Sequence, residues 1–458
     1  MNAFKKITAV VLLVTLFAIT LAGCGDKKET ASSDGVTTVT VWTNTSHTKD
    51  VATELIDKFN STIGKEKGIR IEYTVQGSDY QKVLDIAQQT NALPDLFYPI
   101  SGVQDAVKKN MVIALEDMPG GTEFIEEYKD DLRLGVNIYN NKTYTVPYNL
   151  TTIGLLYNKD LFKANGLVDE NGEAKAPTTW EEVAEYAKIC TNPAKKVYGI
   201  AFPLKWGGYL NWDLVHPWFA ALGTEGYDYE SGKYDYTKLK PAFDWFMQIK
   251  KDGSAFFGAE GLDNDPARAQ FAEGNVAMKL GVSWDVGVLN DQFPAKIDWG
   301  VAPVPGLNGE PTYKQFCTSD VCLAISNAVT DDKKEKVMEV YKWFHEDEFL
   351  VKMYEEGKLI PADGSIIEGI ELGDNTAKGW KEFCAMADIS VALPLVPAVA
   401  VEGDSLSKVM MKMWIGDVSV DDGLADITTR MNQALEKEKG RGTLDFDLYQ
   451  WGNVDKRR

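Results

Sequence analysis

Histidine is almost missing from this chain. Its 458 residues hold three, His47, His216 and His345, far apart in sequence. A histidine-rich metal centre or a serine–histidine triad therefore has few candidates. Two partial motifs fail at a defining position. His345-Glu346 begins like a zincin helix, but Phe349 stands where the second histidine belongs. Gly281-Val282-Ser283-Trp284-Asp285 begins like a nucleophile elbow, but Asp285 replaces the second glycine. No glycine-rich loop ending in Gly-Lys-Ser/Thr is present, so a phosphate loop is excluded. Basic residues are also in deficit, 48 against 68 acidic, for a net charge of −20. Nucleic acid and anionic lipid head groups, which need basic patches, are poor partners for such a chain. Abundant carboxylates leave a glycosidase-type pair open, because its separation is a three-dimensional fact.

Long apolar runs are scarce too. The longest, from Ile7 to Ala22, follows Lys5-Lys6 and has the character of a signal peptide. It is shorter than the roughly 20 residues of a comfortable membrane span. Leu21-Ala22-Gly23-Cys24 resembles a lipobox, so residues 1–23 are expected to be removed and Cys24 lipidated. Residues 25–35 lack large apolar side chains, and residues 24–35 read as a flexible tether. Loss of the leader leaves 435 residues with 46 basic and 68 acidic side chains, a charge of −22. That length exceeds the roughly 250–300 residues at which one core stops growing, so two lobes are expected. Of five cysteines, Cys190, Cys317, Cys322 and Cys384 remain; they read equally as buried apolar residues or as a disulfide source, Cys317 and Cys322 being nearest in sequence.

What the chain does have is alternation of strand and helix patterns. Residues 36–42 alternate as a half-buried strand, and the following helix places Val51, Leu55, Ile56 and Phe59 on one face. A second strand over 69–75, a helix capped at Ser78, a short strand at Pro94–Pro99 and a third helix complete a βαβαβα run. It implies a mostly parallel sheet with ligands at the carboxyl ends of the strands. Residues 144–162 read as extended and broken by Pro147, suiting a passage between lobes. Thr179 and Glu182 form a capping box, and residues 331–357 read as one long amphipathic helix.

Aromatic residues occur where a core does not demand them. Residues 201–219 interleave Phe202, Trp206, Tyr209, Trp212, Trp218 and Phe219 with glycines, Asn211 and Asp213. Flat rings suit the C–H face of a pyranose, and neighbouring polar groups suit its hydroxyls. Trp218 and Phe219 read as core, whereas Trp206, Tyr209 and Trp212 flank glycines in a loop and read equally as lining a site or as loop packing. Trp42 ends the first strand, and Asn44, Thr45, Ser46 and His47 follow in the loop before a helix. That is a ligand-presenting position in an open α/β lobe.

The ordered segments VPYNLTTIGLLYNKDLF, APTTWEEVAEYA, FAEGNVAMKLGVSW, WGVAPVPG and GKLIPADGS resemble the extracellular solute-binding proteins of sugar ABC importers, the maltose-binding-protein-like group. The resemblance implies a two-lobed α/β fold of the type II periplasmic-binding-protein kind, with a multi-strand hinge and a cleft that closes on ligand. Hinge crossings then fall near Pro147–Thr152, Val301–Pro305 and Leu359–Asp363. One lobe comprises 36–148 plus 305–360, the other 149–304 plus 361–458. Ligand contacts carried over are Trp42, Asn44, His47, Tyr98, Tyr148, Asn149, Trp206, Tyr209, Trp212, Trp284 and Asp285. The implied protein is a monomeric, lipid-anchored extracellular receptor without cofactor, metal or catalysis. It passes an oligosaccharide to the membrane permease of an ABC transporter. The rival expectations are a surface glycoside-degrading enzyme and a same-fold receptor for a metal chelate, polyamine or peptide.

Overall fold

The computed structural model describes residues 35–77, 79–206, 216–224, 226–309, 315–317, 322–392, 395–442, 444 and 449. Cys24, Ser78, Tyr209 and Trp212 lie outside them. Strand β1, Thr37–Thr43, buries Val39, Val41 and Thr43 in strict alternation. It runs parallel to both β2, Ile69–Val75, and β3, Leu96–Phe97, with Val41 opposite Tyr73 on one side and Leu96 on the other. Strand Ala324–Ile325, from far along the chain, adds an antiparallel edge beside β3. Helix Lys49–Ser61 packs Val51, Leu55, Ile56 and Phe59 inward, the face its spacing predicts. Together with Leu323, Val340 and Tyr341 these residues form one core.

A second four-stranded sheet is built from β5, Ile153–Asn158, β6, Tyr198–Ile200, β7, Val276–Val282, and β8, Trp299–Ala302. The short β4, Asn149–Leu150, precedes it in the chain. Every residue of β5 and β7 is buried, because both faces of this sheet are covered. Adjacent residues of β5 serve different cores: Leu155 packs with Trp180, Trp218 and Phe246, and Leu156 with Trp299, Trp380 and Phe383. Trp218 and Phe219 are buried in the former, as expected for core residues.

The chain leaves the first core after Tyr148, enters the second at Ile153, leaves it after Val304, and rejoins the first at Leu323. It departs again between Leu359 and Ile360. Two of these passages are tied together, since β4 pairs antiparallel with Ile360–Pro361 and the Ala362 amide donates to the Tyr148 carbonyl at 3.2 Å. Ser283 N–H donates to the Thr152 carbonyl at 2.9 Å, which fastens the end of β7 to the same region.

Two local expectations change. Residues 331–357 form two helices, Lys334–Trp343 and Asp347–Glu355, not one. Glu346 between them is extended, and the His345 ring turns inward among Phe124, Tyr128, Tyr148 and Tyr341. The capping box is extended by one residue: the Thr179 hydroxyl accepts from the Glu182 amide, but the Glu182 carboxylate takes the amide and hydroxyl of Thr178. Cys190 and Cys384 are free thiols, both pushed up to about 12 by burial, while Cys317 and Cys322 are buried.

Candidate functional site

A cavity of about 60 Å³ lies where the carboxyl ends of β1, β3 and β7 converge on the hinge. The first lobe contributes Thr43 at the end of β1, Thr45 and His47 after it, Tyr73 from β2 and Tyr98 after β3. Ser283 and Trp284 come from the end of β7, and Tyr148, Asn149 and Thr151 from the hinge. Strand ends supply them because the sheet stops there and its loops are free to carry function.

The first-lobe wall is fixed by a chain of hydroxyls. Tyr80 Oη donates to the Trp42 carbonyl at 2.9 Å and accepts from the Tyr98 amide at 3.1 Å. Thr43 Oγ1 donates to Tyr73 Oη at 2.9 Å, and Thr48 Oγ1 donates to the Thr45 carbonyl at 3.0 Å. Tyr98 also shares a hydrogen bond with Thr45, and burial drives its phenol well above the ordinary value. Its ring centroid lies 6.4 Å from that of Tyr148, which packs in turn on His345 at 5.5 Å. The aromatic wall is thus anchored in the core behind it.

His47 and Trp284 meet across the cleft, ring centroids 6.2 Å apart and planes inclined by 35°. Burial first, then the positive charges of Lys358 and Arg268, together lower the His47 pKa to about 4 against the opposing charge of Asp285. A neutral imidazole presents one donor and one acceptor, a match for a hydroxyl. The side-chain oxygen of Asn149 is buried with no hydrogen-bond partner among the described residues. Buried polar atoms of this kind are uncommon and each requires a reason; a ligand donor supplies one.

The structure brings His47, Tyr98, Tyr148, Asn149 and Trp284 together, and four expected contacts fall elsewhere. Trp42 lies on the opposite face of β1 from Val41 and Thr43, half-buried against the first core. Asn44 is exposed and does not line the cavity. Trp206 is half-buried against the second core. Asp285 is 1% exposed and turns inward, where Arg268 Nη2 stands 2.5 Å from one oxygen and Lys279 Nζ 3.8 Å from the other. Sequence reasoning missed Thr43, Tyr73, Thr151, Ser283 and Lys358. Thr43 and Ser283 are neighbours of Trp42 and Trp284, so a whole strand end rather than its aromatic was the informative unit. Lys358 lies within the GKLIPADGS segment, which was read for a hinge crossing and not for a ligand contact.

Two α/β lobes, a strand-linked hinge and a cavity lined from both sides define a binding protein of the two-lobed class. The chain belongs to the bacterial extracellular solute-binding proteins, whose family model matches residues 54–381. The sn-glycerol-3-phosphate-binding periplasmic protein UgpB of Brucella melitensis is 26% identical over 345 residues, covering 71% of this chain and 74% of that protein. The maltodextrin-binding protein MdxE of Bacillus subtilis is 24% identical over 378 residues, covering 77% and 80%. Among solved structures, the maltose/maltodextrin-binding domain MalE of Bdellovibrio bacteriovorus bound to maltotriose superposes with a TM-score of 0.67 at 17% identity, covering 87% of this chain and 100% of that one. The GacH receptor of Streptomyces glaucescens, solved unliganded and with acarbose, gives 0.69 at 19% identity and covers 87% and 98%. The type II two-lobed fold is the one expected from the sequence.

Proposed function

We propose that this protein is the receptor of an ABC importer and captures a carbohydrate, an oligosaccharide above all, between its lobes. The observation that carries the reading is the composition of the cavity wall: Tyr98, Tyr148 and Trp284 supply aromatic surface, while Thr43, Thr45, Thr151, Ser283 and Asn149 supply hydroxyl and amide groups. An apolar face with a polar rim suits a sugar ring. The maltodextrin and maltotriose in the names of relatives and structural neighbours support it.

In this reading residues 36–148 plus 305–360 and residues 149–304 plus 361–458 move as two lobes about the hinge. A cavity of about 60 Å³ is well below the roughly 300–1,000 Å³ of ligand pockets, so the lobes part for a sugar to enter and close around it. The leader is removed, Cys24 carries the lipid on the outer face of the membrane, and residues 24–35 tether a monomer near its permease. A tether raises the effective concentration at the permease without any new contact. ATP is consumed by the transporter and no cofactor is required here. A glycoside-degrading activity needs a carboxyl pair at the scissile bond, and no described residue lining the cavity is Asp or Glu.

Intrinsic tryptophan fluorescence and thermal shift against a panel of oligosaccharides test the proposal. The expected result is a ligand-dependent change in the parent that is lost in Trp284→Ala, with the sugar recovered intact. Silence from every saccharide would remove the substrate class, and a cleaved sugar would replace receptor by enzyme.

A further inference from the structure

The charge of the cavity wall is opposite to that of the protein around it. The chain carries 68 acidic residues, yet none lines the described cavity, whose sole formal charge among the described residues is the cation of Lys358. The Lys358 side chain is 19% exposed, and its ammonium stands 3.7 Å from Asp291, whose own side chain is 69% exposed. That separation is well beyond the roughly 2.7–2.9 Å of a charge-assisted hydrogen bond, so the ammonium keeps donor capacity for the cleft. His47 and Lys358 both line the cavity, and the Lys358 charge lowers the basicity of the imidazole. Around them, Thr43, Thr45, Thr151 and Ser283 add hydroxyl donors. Neutral sugars offer many hydroxyl donors, and ionised carboxylates are the strongest acceptors for them. A described wall without carboxylates, and with a partly shielded ammonium, is matched instead to a ligand that brings its own negative charge. Asn149, with its orphaned acceptor oxygen, still asks for a hydroxyl.

We infer that the ligand of this cleft is a polyhydroxy anion, a sugar or polyol bearing a phosphate or carboxylate that seats against Lys358 beside His47. The inference rests on the reading of this cleft as the ligand site. It narrows the substrate class within it: the hydroxyl-bearing body lies against Trp284 and Asn149, and the anionic group replaces Asp291 as the partner of Lys358. The net charge of −20 makes the local reversal of sign more informative, since long-range repulsion has to be overcome by a specific contact.

Isothermal titration of the full chain in mild detergent tests this with matched pairs: galactose and galacturonate, glucose and glucose 1-phosphate, glycerol and glycerol 3-phosphate, and maltotriose as a neutral oligosaccharide. The expected result is that at least one charged member binds tenfold or more tighter than its neutral counterpart. Lys358→Gln should abolish that preference and Lys358→Arg should keep it within about threefold, with unchanged circular dichroism in both. A galacturonate preference identifies the carboxylate, and a glucose 1-phosphate or glycerol 3-phosphate preference the phosphate. Tight maltotriose binding indifferent to Lys358→Gln overturns the anion and leaves the carbohydrate reading standing. Binding of glycerol 3-phosphate without any saccharide overturns the carbohydrate reading and leaves the anion. Absence of binding by every probe overturns both.

Discussion

Asp285 follows directly on Trp284, yet the two side chains have different work. Trp284 faces the cleft, whereas the Asp285 carboxylate is held inward by Arg268 and Lys279 and accepts from the Val282 amide at 3.2 Å. A side chain at position 281 would put its Cβ 2.9 Å from that carboxylate and 2.5 Å from Leu156, so Gly281 makes the space for the charge. Lys279, wholly buried, is lowered to about 8 by desolvation, with Asp285 opposing the shift. Removing one member of a buried pair leaves an uncompensated charge, so Asp285→Ala should cost about 3–5 kcal/mol in a denaturant melt. Its remaining folded fraction should still bind ligand within a few-fold of the parent, because the carboxylate does not reach the cavity. A loss below 1 kcal/mol, or a loss of affinity without loss of stability, would contradict this placement. The family resemblance carried Trp284 and Asp285 over together, but both lie past the end of β7, where Asp285 opens the short helix Asp285–Gly287, and sequence alone did not say which way its carboxylate turns.

At the scale of elements, the break between helices Lys334–Trp343 and Asp347–Glu355 shows what periodicity leaves out. Val337, Val340, Tyr341 and Phe344 keep helical spacing up to the break, and Phe349 and Leu350 resume it after. The stop comes from tertiary packing: His345 Nδ1 bonds the Tyr341 carbonyl at 2.9 Å inside an aromatic cage, and Asp347 and Glu348 favour a new helix start. Burial lowers the His345 pKa from its ordinary 6.5 to about 4, so the folded protein holds it neutral. The unfolded chain binds that proton below pH 6.5, and stability is therefore full above this value and lost as pH falls toward 4. One pKa unit is about 1.4 kcal/mol, so His345 alone makes a difference of about 3 kcal/mol across the window. The melting temperature should fall between pH 7 and 4.5, and the slope should flatten in His345→Gln; an unchanged slope would remove His345 as the source. The helix Trp180–Cys190 offers a simpler check, since its start was legible from Thr179 and Glu182. Thr179→Ala should cost about 1 kcal/mol by loss of the cap.

For the whole molecule, the strand and helix order of the first lobe and a chain too long for a single core were legible in the sequence. Alternation and helical spacing are local signals, and chain length bounds the core. The antiparallel edge strand Ala324–Ile325 was not legible, because its partner Leu96–Phe97 lies more than two hundred residues earlier and each strand has only two paired residues. Tyr73 escaped for the same reason, since it reaches the cavity from a strand that carries no binding motif of its own, whereas Lys358 sat in the GKLIPADGS segment but was read only as part of the hinge.

The central claim is that one ligand is held by both lobes and the hinge at once. Hydrogen exchange with and without a saccharide that binds tests it most directly. The account expects simultaneous protection at residues 43–48, 148–152 and 282–286, the segments that converge on the cavity. Protection confined to one lobe, or centred away from these three segments, would contradict it.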